Sequence, residues 1–188
     1  VLISGSGTNL QALLDSPDPA VEPAVVVSDR AEAGGLRRAR EAGLAVEVVP
    51  WVPDRAGATA ALCRVLERHR VELVVLAGFM RILGSEAIDR YRGRIVNIHP
   101  SLLPSFPGGR AVEAALEHGV KVTGCTVHFV DEQVDHGQII AQVPVEVLAD
   151  DTVESLHRRI QRAEHSLYPG VVAALCRGTL PASTAVTV

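Results

Sequence analysis

Lysine is nearly missing from this chain: Lys121 is the only one, so the positive charge is almost all arginine. Arginine suits bidentate recognition of carboxylate or phosphate, but a compositional bias gives the same count, so the count alone indicates no ligand. Basic residues are also outnumbered, 18 Lys and Arg against 22 Asp and Glu, for a formal net charge of −4. A nucleic-acid binder normally carries a basic patch or stripe, so that class of partner is not expected. Cysteine is scarce. Cys63, Cys125 and Cys176 are odd in number and no two lie close together. This excludes a disulfide framework and a zinc site; no metal is expected, and each thiol reads as small core filler in a reducing cytoplasm. No apolar run is long enough to span a membrane. The start shows no basic segment followed by an apolar cleavable stretch. It lies inside an apolar run at Val1 rather than at a methionine, so a few residues of the first strand are expected to precede it.

What is present is a chain of 188 residues, 47% hydrophobic and 21% charged, which suits one domain with a single core. Short β-branched runs alternate with helical segments. Val1–Ser4, Ala24–Ser28, Val46–Pro50, Glu72–Ala77 and Arg94–Ile98 read as strands. Between them, helices are expected at Asn9–Leu14, at Gly34–Ala42 ending on Gly43, from an Asp54 cap to about His69, and near Ser85–Tyr91. This alternation implies right-handed βαβ units. Val122–Val130 and Ile139–Val147 then read as an antiparallel pair joined by the polar loop Asp131–Gln138. Asp151 or Thr152 caps a last long helix, broken near Pro169 and resumed to about Cys176; the tail Pro181–Val188 is expected to be mobile. The fold class is therefore α/β: a single-domain, open, mostly parallel, Rossmann-like sheet with helices on both faces and an antiparallel strand pair toward the C-terminal half.

Three stretches carry chemistry. Residues 1–11 run strand, glycine turn, helix, an arrangement that offers free backbone N–H groups and a helix dipole to an anion. Gly5 and Gly7 permit close approach, and Thr8 and Asn9 add side-chain donors. The dinucleotide fingerprint and the P-loop are both excluded, by the missing third glycine and the missing Gly-Lys-Ser/Thr ending. A tight turn with an ordinary Thr or Asn cap is the bland alternative; a site for one or two phosphates is the sharper one. In Asn97-Ile98-His99-Pro100, strand alternation points Asn97 and His99 the same way, and Pro100 holds the backbone of His99 extended. Such a pair can donate to one developing oxyanion, although a lone histidine is more often satisfied by a carbonyl. Residues 131–137 form an acidic loop that alone reads as a solvated turn. A histidine acting as an acid needs a carboxylate to hold its tautomer and raise its pKa, and Asp135 is the candidate. His128 could pair there too, or be a core or rim histidine.

Together these stretches resemble the phosphoribosylglycinamide formyltransferases, the folate-dependent glycinamide ribonucleotide transformylases. The resemblance covers nearly the whole chain. It rests on residues 3–11, on Leu76-Ala77-Gly78-Phe79-Met80-Arg81-Ile82-Leu83, and on Asn97-Ile98-His99-Pro100-Ser101-Leu102-Leu103-Pro104. It continues in Val127-His128-Phe129-Val130 with Asp135, and in Gln161 to Glu164 with Tyr168-Pro169. The resemblance implies that Gly7, Thr8 and Asn9 hold a substrate phosphate, and that Gln161 and Glu164 hold the ribose-phosphate side. Arg55, Met80, Arg81, Ile82, Leu83 and Asn97 would line the folate pocket, with Val130, Asp131, Glu132, Gln133, Val134 and Asp135. Asn97, His99 and Asp135 would be the catalytic trio. The co-substrate would be 10-formyltetrahydrofolate and the acceptor glycinamide ribonucleotide, in purine synthesis, by a monomer or homodimer. Residues 1–95 would form a phosphate-binding half and 96–180 a catalytic and folate-binding half, with 181–188 as a tail. Arg110 departs from the many relatives that have histidine there.

Related activities make different demands. A formyltetrahydrofolate hydrolase needs no phosphate turn, and it would be expected to carry an N-terminal regulatory segment. A methionyl-tRNA formyltransferase would be expected to carry a further C-terminal domain and basic surface. A non-enzymatic folate or nucleotide binder would not need Asn97, His99 and Asp135 together.

Overall fold

In the computed structural model, which describes residues 1–51 and 54–180, the first half alternates strand and helix. β1 (Leu2–Ile3), β2 (Val26–Ser28), β3 (Val46–Val48), β4 (Val74–Leu76) and β5 (Ile95–His99) are linked by α1 (Thr8–Asp15), α2 (Gly34–Glu41), α3 (Arg55–Arg68) and α4 (Ser85–Arg90). α5 (Ala111–His118) leads into the hairpin of β6 (Val122–Phe129) and β7 (Ile139–Glu146), and α6 (Val153–Cys176) follows. The strand order is β3-β2-β1-β4-β5-β6-β7. Pairing is parallel from β3 to β5 and antiparallel from β5 to β7. The expected mostly parallel sheet with its antiparallel pair is what the chain forms. The tail expected to be mobile, 181–188, lies outside the described residues.

Alternate residues of the central strands feed two cores. Ile3, Val26, Val75, Val96 and Ile98 pack with Leu10, Leu36, Val112, Leu156 and Ile160, which come from α1, α2, α5 and α6. Leu2, Val27, Val74, Leu76 and Ile95 pack with Leu62, Leu66 and Ile88 from α3 and α4. Helices on both faces explain why these strands read as apolar throughout. Helix starts follow local chemistry. Asp54 caps α3 by accepting the Gly57 N–H at 2.7 Å, and Thr152 forms a reciprocal capping box with Ser155 at the start of α6.

Three features depart from the sequence reading. α5 lies in a stretch to which the sequence reading assigned no element; Ala111-Val112-Glu113-Ala114-Ala115-Leu116 forms a helix that Gly119 ends at φ 76°. α6 is unbroken at Pro169. Tyr168, beside the proline, is fully buried, and its hydroxyl donates to Leu76 O at 2.9 Å and Val96 O at 3.1 Å. That anchorage, with buried Val171 and Val172, holds both sides of the proline in one helix despite the lost N–H. The strands are shorter than read, except that β5 extends to include His99.

The chain runs outward from β1 to β3, then returns to β4 on the other side of β1. The switch point lies between β1 and β4, where open α/β sheets bind ligands at the carboxyl ends of their strands. The glycine turn after β1, the segment after β4 and the end of β5 all open on that edge.

Candidate active site

The antiparallel register sets Asn97 of β5 opposite His128 of β6, and His99 opposite Thr126. Asn97 Nδ2 stands 3.2 Å from His128 Nε2. His128 Nδ1 must carry a proton, because it lies 2.8 Å from the Phe129 carbonyl, which can only accept. The Asn97 amide and Asp135 Oδ1 both face His128 Nε2, so the ring orients the amide. His99 is 5% exposed. Its Nε2 donates to Phe106 O at 2.9 Å, and its Nδ1 faces Asp135 Oδ2 at 3.4 Å. Both ring nitrogens thus face acceptors, a surrounding that the imidazolium satisfies fully.

Asp135 reaches this cluster from the β6–β7 loop in a left-handed conformation, φ 53°. The loop closes over the strand at Gly137, where a Cβ would lie 1.9 Å from Phe129 O. Asp135 Oδ2 accepts the Gly108 N–H at 2.8 Å, and Oδ1 lies 3.6 Å from His128 Nε2. At that separation the contact is longer than a well-formed hydrogen bond. Burial pushes the Asp135 carboxyl up, but His128, the Gly108 N–H and His99 outweigh it and hold it below the usual value. An amide and an imidazole on one strand face, with a carboxylate behind the imidazole, can donate to an oxygen that gains negative charge.

The glycine turn has no side-chain cap. α1 starts from Gly7 at φ 73°, with no side-chain hydrogen bond to its first N–H groups, which removes the ordinary Thr or Asn cap. Asn9 does not project from the turn as a free donor either: its Nδ2 donates to Glu164 Oε2 of α6 at 2.9 Å. Asn9 and Glu164 are 9% and 5% exposed. Burial pushes the Glu164 carboxyl up, with Asn9 opposing, and Asn9 Oδ1 is buried without a hydrogen-bond partner. Gln161, half-buried, lies one helical turn before Glu164. A cavity of about 360 Å³ adjoins this turn, lined by Thr8, Gln11, Arg38 and His165 among others.

The segment after β4 is tied to β1. Ser4 Oγ accepts the Met80 N–H at 2.8 Å, and Ser4 N–H donates to Gly78 O at 3.0 Å. Arg81 Nε pairs at 2.6 Å with Asp29 Oδ2, a carboxylate at the end of β2 that the sequence reading did not single out. Leu83 is buried, whereas Met80 and Ile82 are 66% and 54% exposed, as is Val134 at 54%. Val130 packs against the core that includes Phe79 and Leu83. Asp131 accepts the Gln133 N–H and pairs with His136, and Glu132 lies 3.6 Å from Arg92. Arg55 is exposed at the start of α3; among the described residues it makes no hydrogen bond or ion pair to Met80–Leu83 or to the Asp135 loop. The structure therefore gathers Asn97, His99, Asp135 and His128 in one cluster and Asn9 and Glu164 beside the glycine turn with Thr8, with Gln161 one helical turn away on α6. Phe106 and Gly108, which hold His99 and Asp135, had no signal beyond the proline-rich loop that carries them.

A formyl transferase model matches residues 1–172. The chain belongs to the formyl transferase family. It is 40% identical to the phosphoribosylglycinamide formyltransferase of Escherichia coli (strain K12) over 185 residues, spanning 96% of this chain and 87% of that one. It is 52% identical to the glycinamide ribonucleotide transformylase 1 of Symbiobacterium toebii, whose crystal structure superposes with a TM-score of 0.90 over 94% of this chain and 86% of that one. These likenesses place it among the phosphoribosylglycinamide formyltransferases. It is also 46% identical to the human trifunctional purine biosynthetic protein adenosine-3, covering 96% of this chain but only 18% of that protein. No helix among the described residues is long and apolar enough to cross a membrane.

Proposed function

We propose that this formyl transferase moves the formyl group of 10-formyltetrahydrofolate to the amine of glycinamide ribonucleotide. The products are formylglycinamide ribonucleotide and tetrahydrofolate, in the purine (IMP) synthesis of the cytoplasm. The observation that carries the reading is the convergence of Asn97, His99 and Asp135 on the same sheet edge as an uncapped glycine turn. An acyl-transfer cluster alone suits water as acceptor; the adjacent anion-binding turn suits a phosphorylated amine.

The residues fit a folate. Met80, Ile82 and Val134 leave apolar side chains exposed on the two segments that flank the end of β5, the kind of surface that a flat heterocycle requires. Arg55, Arg81, Leu83 and residues 130–135 complete that side. When bound, the folate supplies the formyl carbon. Asn97 directs its amide N–H at the formyl oxygen. His99, as imidazolium, exchanges the Phe106 carbonyl for that oxygen at Nε2 and later yields a proton toward the leaving nitrogen. Asp135 stabilises the imidazolium at Nδ1 and takes no part in binding the acceptor. Gly7, Thr8 and Asn9 present backbone N–H groups to the phosphate, and Gln161 and Glu164 face the ribose side. The phosphate-binding half, 1–95, and the catalytic half, 96–180, are joined at the acceptor site, since Glu164 is the partner of Asn9.

The test is to mix the protein with 10-formyltetrahydrofolate and follow folate release. Release should depend on glycinamide ribonucleotide and be slow with water alone. Equal rates with and without that acceptor would replace this reading with hydrolysis.

A further inference from the structure

Two helices meet at the glycine turn. Gly35, in the first turn of α2, donates its N–H to Gly5 O at 3.1 Å. A Cβ on Gly7 would stand 2.5 Å from Gly35 Cα, and one on Gly35 would stand 2.5 Å from Ile3 Cδ1. Both positions need glycine for the backbones to touch. That contact sets Arg38, one turn further along α2, against the turn. Its Nε donates to Ser6 O at 2.9 Å and its Nη1 to Gln11 Oε1 at 3.0 Å; Nη2 takes part in neither bond. Arg38 and Gln11 line the cavity of about 360 Å³ that Thr8 of the turn also lines.

This wall carries one arginine, Arg38, and one acid, Asp15. Residues 5–15 contain no lysine or arginine, so the turn and α1 offer an anion dipoles but no full positive charge. His165, on the same wall, is held toward its neutral form by burial. The one acid lining the cavity, Asp15, already accepts from Gln11 Nε2 at 2.8 Å. A buried acceptor beside the turn, Asn9 Oδ1, has no protein donor, which suits a ligand hydroxyl next to the anion rather than the anion itself. Arg38 is thus the cation of this wall, and its plane is fixed from two sides.

We propose that Arg38 carries the positive charge of the acceptor site's phosphate end. It holds the Ser6 carbonyl away from the anion and sets the affinity for the phosphate, with Gln11 fixing the guanidinium plane. This rests on the reading that the acceptor is a phosphorylated ribose. Arg38 is a positioning residue for the phosphate and is remote from the formyl carbon.

The test compares wild type, Arg38→Gln and Arg38→Lys by steady-state kinetics and by calorimetric titration with ribose 5-phosphate over a range of NaCl concentrations. Arg38→Gln should raise the KM for glycinamide ribonucleotide by roughly 10- to 100-fold, the effect of a lost charge-assisted contact. The kcat and the KM for the folate should stay near wild type. Its ribose 5-phosphate affinity should fall by a similar factor and lose much of its salt dependence, while Arg38→Lys regains part of both. Unchanged ribose 5-phosphate binding in Arg38→Gln overturns the proposal. Weaker binding with the wild-type salt dependence also overturns it, leaving Arg38 to shape the turn only. If wild type neither binds ribose 5-phosphate nor uses glycinamide ribonucleotide, the acceptor reading fails and the proposal fails with it.

Discussion

Asp135 is asked to satisfy three groups with two oxygens: the Gly108 N–H and two imidazoles. Only the carboxylate does so, which is why its protonation is disfavoured despite burial. Asp135→Asn keeps the size and removes the charge. The imidazolium of His99 then faces a neutral amide, and the single-turnover rate with both ligands saturating should fall by about 10²- to 10⁴-fold. Glycinamide ribonucleotide binding should hold, since Asp135 lies away from the glycine turn. A single-turnover rate near wild type would remove Asp135 from the chemistry. At this scale the sequence was readable where one strand carries the message. Asn97 and His99 share a face by alternation alone. His128 was visible only as one of two options, because its place opposite Asn97 depends on the register of β5 with β6. Asp29, Phe106 and Arg38 act through contacts between distant segments, which no local pattern encodes.

The β6–β7 hairpin brings Asp135 to the cluster, and its closure depends on a position without a side chain. Phe129 N–H donates to Gln138 O at 2.9 Å, with Gly137 pressed against Phe129 O. Gly137→Ala must push the loop outward and carry Asp135 with it. The strands on either side are long and paired over most of their length, so melting temperature should drop little. The kcat should fall about 10²-fold, the scale of an ångström-sized misplacement of a catalytic group. Equal losses in melting temperature and in kcat, or none in either, would show that the glycine does not set the loop. Elements were legible where burial imposes a period, as in α3 with its Asp54 cap and in the apolar strands β2 and β4. They were not where a local rule was overridden. Pro169 marks a helix break in an isolated segment, but burial of Tyr168 against two strands outweighs the one missing hydrogen bond. α5 escaped because the prolines before it dominate the local reading, although Gly119 supplies an ordinary helix stop.

Across the whole molecule, the buried pair Asn9–Glu164 couples the acceptor site to stability. Burial above all raises the Glu164 carboxyl above its ordinary value of 4.5. A raised folded-state pKa gives a contribution that is fully present below the unfolded value and is lost as pH rises through the folded one. Wild type should therefore lose melting temperature over a window that begins near pH 4.5 and extends upward. Neither of two buried neighbours charges there, since burial pushes the Cys125 thiol up to about 12 and the Tyr168 hydroxyl well above its usual value; His165, lowered by burial, gains stability as pH rises, a contribution common to wild type and a Glu164 variant. Asp135 acts in the opposite sense, losing its contribution as pH falls through its lowered pKa. Glu164→Gln keeps an oxygen for the Asn9 amide and carries no charge. Its melting temperature should lack the alkaline-side decline and match or exceed wild type at neutral pH, while glycinamide ribonucleotide binds more weakly. Parallel melting profiles for the two proteins would mean that Glu164 does not titrate in this window. The same pair spans 155 positions of sequence, which has a consequence for synthesis on the ribosome. The turn after β1 is made 155 positions ahead of Glu164, and its Asn9 amide stays unmatched over that interval. Glu164 and the Tyr168 hydroxyl that joins two central strands are among the last parts of the described fold to be made. The acceptor site is therefore completed when α6 docks, so a nascent chain carries the first half of its substrate site long before it can hold a substrate.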